Sequence, residues 1–445
     1  MKNKTITVGV ATILILISHI SLKGQEILSL PKAIEIGLEN NYEIRIVRND
    51  VEKLSNNYAY GKYQFLPGIS AEASQNFDVE NIEQQRDPAN PPIVNRNARS
   101  NQFTASVNLQ WTIFDGMRMF ISYKMLQELE EMGNLNLRAT ITSKIADISR
   151  GYYLIVLQKE KIAVLENTVD LSEKRYEIAK AAYEVGRSSK LEYLSAQVDL
   201  NADRAALIAQ EEAYQNAKIE LNRIMGVKVD YDFEVSDAIT FSQDLDLAML
   251  EESMLEHNPD LLALQQNQHV SELQISSIRA ERYPRLSINA GYRYRNSETQ
   301  LGFATTDVRD GYYYGLRGTL PILNGMDIGR RTQNAKIDLE TTEVLYHQLQ
   351  ADLMAYLNNR YLAYKNGLKL FQLESENLAI AKENESIAYE RYRLGNTNFL
   401  ELREAQKNAV EAESRLLDAA YNIKVAEIDL NRLSGLSLET IGETE

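Results

Sequence analysis

The chain has 445 residues, room for two or three ordinary domains or one extended one, and a net charge of −15. That acidic balance argues against a sequence-independent nucleic-acid binder, which needs a basic footprint to release counterions. With no cysteine there is no disulfide, thiolate metal site, cysteine nucleophile or lipidated N-terminal cysteine; the four histidines (His19, His257, His269, His347) show no metal-ligand spacing, and no cofactor is expected.

The chain opens with MKNKTITVGVATILILISHISLKGQ. Lys2 and Lys4 form a basic head and Val8 to Ile20 a short apolar stretch, the pattern of a secretory signal peptide over 1–24. A membrane anchor is the alternative, but the apolar run falls short of the ~20 residues a spanning helix needs. Removal before Gln25 is expected, although Ser21-Leu22-Lys23-Gly24 is not an A-x-A box.

Beyond the signal the chain is a tandem duplication. Gly186 and Gly395 stand 209 residues apart, and the same offset carries Leu191 onto Leu400, Glu192 onto Glu401 and Gln197 onto Gln406. It also carries LNRIMG (221–226) onto LNRLSG (430–435) and IFDGM (113–117) onto ILNGM (322–326). Upstream, Asn41 matches Asn258 and Pro67 matches Pro284 at an offset of 217, so the first copy holds eight extra residues between Pro67 and Gly116. Each copy opens with a helix that starts at Pro31 or Pro259 and is ended by Pro67 or Pro284. Two alternating segments around a polar loop come next, then a very long helix, a glycine bend and a shorter return helix. The copies span 25–226 and 247–435, with a connector at 227–246 and a tail at 436–445.

The alternating segments predict strands at about 68–80, 102–114, 285–296 and 311–323. Over 103–113, Phe103, Ala105, Val107, Leu109, Trp111 and Ile113 oppose Thr104, Ser106, Asn108, Gln110 and Thr112. Over 286–295, Leu286, Ile288, Ala290, Tyr292 and Tyr294 oppose Ser287, Asn289, Gly291, Arg293 and Arg295. Over 312–322, Tyr312, Tyr314, Leu316, Leu320 and Ile322 oppose Tyr313, Gly315, Arg317 and Thr319, and 69–79 carries a weaker version. A half-buried sheet in a soluble domain is one explanation. Membrane strands fit better: the runs reach the ~9–11 residues of a tilted spanning strand, aromatics gather toward their ends, and the loops ENIEQQRDPANPPIVNRNARS and NSETQLGFATTDVRD are long and polar. Open sheet edges in hydrocarbon leave unpaired backbone groups, so such a sheet must close, and closure takes about eight strands or more. One chain supplies four, so the barrel would be shared among protomers.

Long helices are predicted over 117–185 and 328–394, both free of proline, and return helices over 189–225 and 398–434. A 4-3-4-3 seam runs through Ile141, Ile145, Ile148, Tyr152 and Ile155, and another through Leu357, Tyr361, Tyr364, Leu368 and Phe371. About 67 residues at ~1.5 Å each make ~100 Å of helix, beyond what a compact domain uses. A fibrous coiled coil would share the seam but not the strand blocks. The bends call for glycine in a left-handed turn, with Ser188/Ser189 and Thr397/Asn398 suited to cap the return helices.

This duplicated order, with the bends VGRSSKLEYLSAQ and LGNTNFLELREAQ and the closing LNRIMG and LNRLSG, resembles the outer-membrane efflux protein family, the TolC-like channels. The resemblance covers nearly the whole chain after the signal. It implies a mainly α fold with membrane β: a homotrimer with a shared twelve-stranded barrel, continued by a long α-helical barrel through the periplasm. It implies the exit duct of a tripartite efflux or type I secretion system, with a periplasmic adaptor protein, an inner-membrane pump and outer-membrane lipid as partners and no nucleic acid. Val185, Gly186, Arg187, Leu394, Gly395 and Asn396 become candidate adaptor-docking tips. Glu177, Glu383, Glu385 and Glu390, near the tips, are candidates for an acidic constriction, against the reading of a solvated helix face. Arg293, Arg295 and Arg317 are expected in the barrel lumen. No phosphate loop, zinc signature or nucleophile elbow supports an enzyme. The competing reading is a periplasmic coiled-coil scaffold or adaptor outside the membrane.

Overall fold

The computed structural model describes residues 26–85, 87–300 and 304–435; the expected signal peptide and C-terminal tail lie outside the described residues. The first copy comprises β1 (Glu26–Leu28), α1 (Leu30–Asn40), α2 (Tyr42–Gly61), β2 (Gly68–Gln84), β3 (Ile93–Asp115), α3 (Arg118–Glu184) and α4 (Lys190–Met225). After β4 (Phe233–Val235) the second copy continues with α5 (Leu247–His257), α6 (Pro259–Ala280), β5 (Arg285–Thr299), β6 (Thr306–Thr319), α7 (Asp327–Arg393) and α8 (Phe399–Ser434). Among the described residues no helix is long and apolar enough to cross a membrane.

Where the pattern predicts one helix before the strands of each copy, the structure has two. Asn41 and Asn258 adopt extended backbone, and their side-chain oxygens accept from the next helix's first free N–H groups: Glu43 and Ile44, or Asp260 and Leu261. Each side-chain amide also donates to the return helix, to the Ile224 carbonyl at 2.7 Å or the Leu433 carbonyl at 2.9 Å. The two asparagines are therefore equivalent hinges. Pro31 and Pro259 are not equivalent, since Pro31 lies in the first turn of α1 and Pro259 opens α6. The ends of the return helices seat on the same corner: Gly226 and Gly435 have left-handed backbone (φ +73° and +69°), and an added Cβ would lie 2.6 Å from the Asn40 carbonyl or 2.5 Å from that of His257.

The four long strands form one antiparallel sheet in the order β2-β3-β5-β6, with the register that the face pattern requires. Val107, for example, pairs with Ala71 on one side and Tyr292 on the other, and Tyr292 with Tyr312, all on one face. The strands depart from expectation in several places, β6 for instance beginning at Thr306 and not 311. The stretch 80–100 is strand along most of its length, leaving 85–92 between β2 and β3, because Pro88, Pro91 and Pro92 all fall in the turn, where a missing ladder donor does no harm. Strand β6 stops at Thr319, before Pro321, so Leu320 and Ile322 lie outside it. And Ile113 is the extra residue of a bulge between the pairs Thr112–Ser287 and Phe114–Leu286, so Phe114 carries on the apolar face.

Helices α3 and α7 have 67 residues each, ~100 Å at the usual rise. Their seams are put to use at mid-length, where the connector crosses them. Ile148, Tyr152 and Ile155 are buried with Leu28, Phe233, Val235, Leu221 and Met225, and the Tyr152 hydroxyl reaches the Leu28 carbonyl at 2.9 Å. In the second copy Tyr364 donates to the Ser242 carbonyl at 2.8 Å and Tyr361 to that of Leu245 at 3.1 Å. The parallel pair β1–β4, which the sequence pattern does not predict, fixes the connector to the chain start. These apolar clusters girdle the helices at their middle, leaving a sheet at one end and two hairpin tips at the other.

Candidate functional site: hairpin tips and the polar sheet face

The tips are two copies of one turn. At the first, the Gly186 N–H bonds to the Tyr183 carbonyl at 3.0 Å and the Arg187 N–H to that of Ala182 at 2.8 Å, with Gly186 at φ +74°. At the second, Gly395 bonds to Tyr392 at 2.9 Å and Asn396 to Arg391 at 2.8 Å, with Gly395 at φ +75°. This is the Schellman helix ending, which needs a left-handed residue at its centre. The return helices are capped by Ser189, accepting from the Glu192 N–H, and Asn398, accepting from that of Glu401. An added Cβ would meet nothing within 4 Å at either tip glycine, in contrast to Gly226 and Gly435.

Val185 and Leu394 stand exposed beside these glycines, at 69% and 66%. The repeat columns add a pair absent from the expected tip residues: Leu191 and Leu400, in the first turn of the return helices, are 76% and 72% exposed. Each tip thus presents two large apolar side chains to solvent, and the repeated leucine was the available signal.

Of the four glutamates, Glu177 lies on α3 and Glu383, Glu385 and Glu390 lie on α7. Glu390 pairs with Arg393 at 2.7 Å, an ordinary helical-spacing pair. Glu385 is half-buried, and desolvation, assisted by Glu413 and opposed by Lys382, holds its carboxyl above the usual range. Glu177 and Glu383 are exposed. The polar contacts that do join the hairpins lie on other residues. The Tyr392 hydroxyl of α7 donates to Glu192 of α4 at 3.2 Å; burial and the Glu192 charge push its pKa up to about 12, so it stays a donor at any physiological pH. Deeper, Arg175 of α3 is almost wholly buried, donates to Gln406 of α8 at 2.7 Å and to Asp199 of α4 at 3.3 Å, and stacks its guanidinium 4.9 Å from the Phe399 ring centre. Arg403 grips Asp203 with two bonds of 3.0 and 3.1 Å. Gln406 and Glu192 were visible as repeat columns; that they bridge hairpins depends on which helices become neighbours.

On the sheet, Arg293, Arg295 and Arg317 share the polar face, as the alternation requires. Arg317 lines a cavity of about 410 Å³ at the foot of the sheet together with Arg118, Glu281 and Arg285. Arg293 lies higher, its guanidinium 5.0 Å from the Tyr313 ring centre. The opposite face carries Ile69, Val107, Tyr312, Tyr314 and Leu316, all half or more exposed. An apolar exposed face, a polar face and, among the described residues, two unpaired edges are what a segment of a membrane barrel requires.

The comparisons with known proteins agree with that class. The family model described as outer membrane efflux protein matches residues 33–227 and 250–436, one segment on each copy of the repeat. The chain belongs to the outer membrane efflux protein family, whose members are outer-membrane channel proteins and not enzymes. It is 19% identical over 413 residues to the probable efflux pump outer membrane protein TtgC of Pseudomonas putida, covering 92% of this chain and 83% of that one. It is 22% identical over 428 residues to outer membrane protein OprJ of Pseudomonas aeruginosa, covering 91% and 84%. Among solved structures, the Campylobacter jejuni CmeC outer membrane channel superposes with a TM-score of 0.77 at 18% identity, over 91% of this chain and 85% of that one.

Proposed function

We propose that three copies of this chain form the exit duct of a tripartite efflux or type I secretion system. The observation that carries a closed ring of copies is an unmet half of the internal repeat. Within the chain α3 packs on α8, through Arg175–Gln406 and through Lys161–Asp418 at 2.6 Å. The 209-residue offset makes α7 the counterpart of α3 and α4 the counterpart of α8. Along α7 lie exposed Leu370, Leu373, Ile380 and Ile387, and along α4 exposed Leu194, Val198 and Ile208. Those stripes are satisfied if α7 of one protomer lies against α4 of the next, repeating the α3–α8 contact around a ring. The sheet asks for the same neighbour: β2 and β6 are open edges, which hydrocarbon does not tolerate. A ring of copies closes both at once, and in a trimer it has twelve strands.

In that assembly the apolar sheet face meets lipid and the polar face, with Arg293, Arg295 and Arg317, lines the bore. The six tips alternate around the periplasmic mouth, and Val185, Leu191, Leu394 and Leu400 form the surface on which a periplasmic adaptor docks, linking the duct to an inner-membrane pump. Glu177, Glu383, Glu385 and Glu390 are the candidates for an acid ring near the tips, Glu177 and Glu383 being exposed within the single chain, and the Tyr392–Glu192 bond holds neighbouring hairpins together there. The test is electron microscopy of protein extracted from membranes in mild detergent. A three-fold tube some 130 Å long, from ~100 Å of helix plus a ~30 Å barrel, is the expected particle. Compact particles, or protein released without detergent, would overturn the duct in favour of a periplasmic scaffold.

A further inference from the structure

The polar sheet face is not evenly charged. Arg293 and Arg295 stand two residues apart on β5, and Arg309 of β6 is directly opposite Arg295 in the register. Like charges facing across a ladder are destabilising, so sheets ordinarily place an acid there. Here one acid answers three guanidiniums: Asp307 pairs with Arg309 at 2.8 Å. Among the described residues neither Arg293 nor Arg295 makes an ion pair, and the Arg295 Nε is buried with no hydrogen-bond partner. On the other side of Arg293 the register places neutral Ser106, and Glu72 only beyond it.

The wall beneath is built to hold this arrangement. Tyr313 lies across Gly291, where an added Cβ would come within 2.7 Å of its ring, and its hydroxyl donates to Asn108 two strands away. The ring is thereby pinned flat, and Arg293 stacks on it at 5.0 Å from the centre. A stacked guanidinium is held in place with its donor edge still open to an incoming acceptor.

We infer that Arg293, Arg295 and Arg309 form an anion-binding patch that recognises carboxylate- or phosphate-bearing solutes at the outward end of the duct. The placement in a bore rests on the trimeric duct proposed for this chain; the binding of anions does not. Three protomers would set three such patches around one lumen, so anionic cargo would be concentrated there.

The probe is ferrocyanide, a compact tetravalent anion, titrated calorimetrically into the detergent-extracted full-length protein. Saturable binding is expected, weakened about tenfold or more in the Arg293→Gln/Arg295→Gln variant, as loss of charge-assisted hydrogen bonds demands. Arg293→Lys, which keeps the charge, and the single variant Arg295→Gln serve if the double variant does not assemble; Arg293→Lys should bind within a few-fold of wild type and Arg295→Gln more weakly. Wild-type protein that binds no ferrocyanide, or variants that bind it equally, would overturn the patch. Ferrocyanide should also block conductance in planar bilayers from the barrel side at lower concentration than from the tip side. Binding without any conductance would refute the duct and leave the patch standing; conductance with equal block from both sides would overturn its placement at the outward end.

Discussion

Glycines with the same backbone angles serve two different purposes. Gly186 and Gly395 need their left-handed φ but have open space where a side chain would go, whereas Gly226 and Gly435 need both the angle and the emptiness. Alanine at a tip should therefore cost only the conformational penalty, about 1–2 kcal/mol. Alanine at position 226 or 435 adds a clash with a carbonyl on the neighbouring helix and should cost about 2–5 kcal/mol. Thermal denaturation in detergent would separate the two classes; equal losses would contradict the packing at the helix corner. In the sequence all four look alike, as glycines closing repeated helical segments. What distinguishes them is the distance to another segment, which no local pattern encodes.

At the scale of elements, the strands were legible because a two-residue period survives any register that keeps one face apolar. Leu109, flanked in register by Ile69 and Ala290, lies in the middle of that face. Leu109→Arg or Val107→Arg should destabilise the inserted protein by about 2–4 kcal/mol if the face meets lipid at mid-depth, and reduce the assembled fraction in outer-membrane preparations. Unchanged assembly would contradict a lipid-facing register. The strand ends were less legible. Ladder pairing continued through the polar stretch 80–84 and 93–100 because backbone hydrogen bonding there is indifferent to side-chain polarity, and only the prolines forced a turn. The break between α1 and α2 was likewise hidden: Asn41 reads as one more polar residue on a helix until the return helix arrives to accept its amide.

For the whole molecule, the internal repeat makes the intrachain α3–α8 contact the template for the interchain α7–α4 contact of the proposed assembly. In the proposed trimer it would set six similar tips on one ring, with Leu191 and Leu400 exposed on each pair. Replacing both with glutamate should abolish pump-dependent export while trimers and insertion persist, since each leucine buried on docking contributes ~1.5–3 kcal/mol. Export at the wild-type level would remove the tips from the docking surface.

The duplication, the two-period strands, the proline-free helices and the glycine bends were all determined by the sequence itself, because each arises from backbone sterics and hydrophobic periodicity within one segment. That was sufficient to reach the fold class and the family. Which polar side chains meet across segments was decided by the tertiary structure: Arg175 with Gln406, Tyr392 with Glu192, Arg293 with Tyr313. The glutamates singled out near the tips illustrate the same limit: sequence places Glu177 on α3 and Glu383, Glu385 and Glu390 on α7, but only the packing pairs Glu390 with Arg393 and half-buries Glu385. Helical position sets the direction in which a side chain leaves its axis; its partner is set by which helix lies there, and that is a property of the packed bundle.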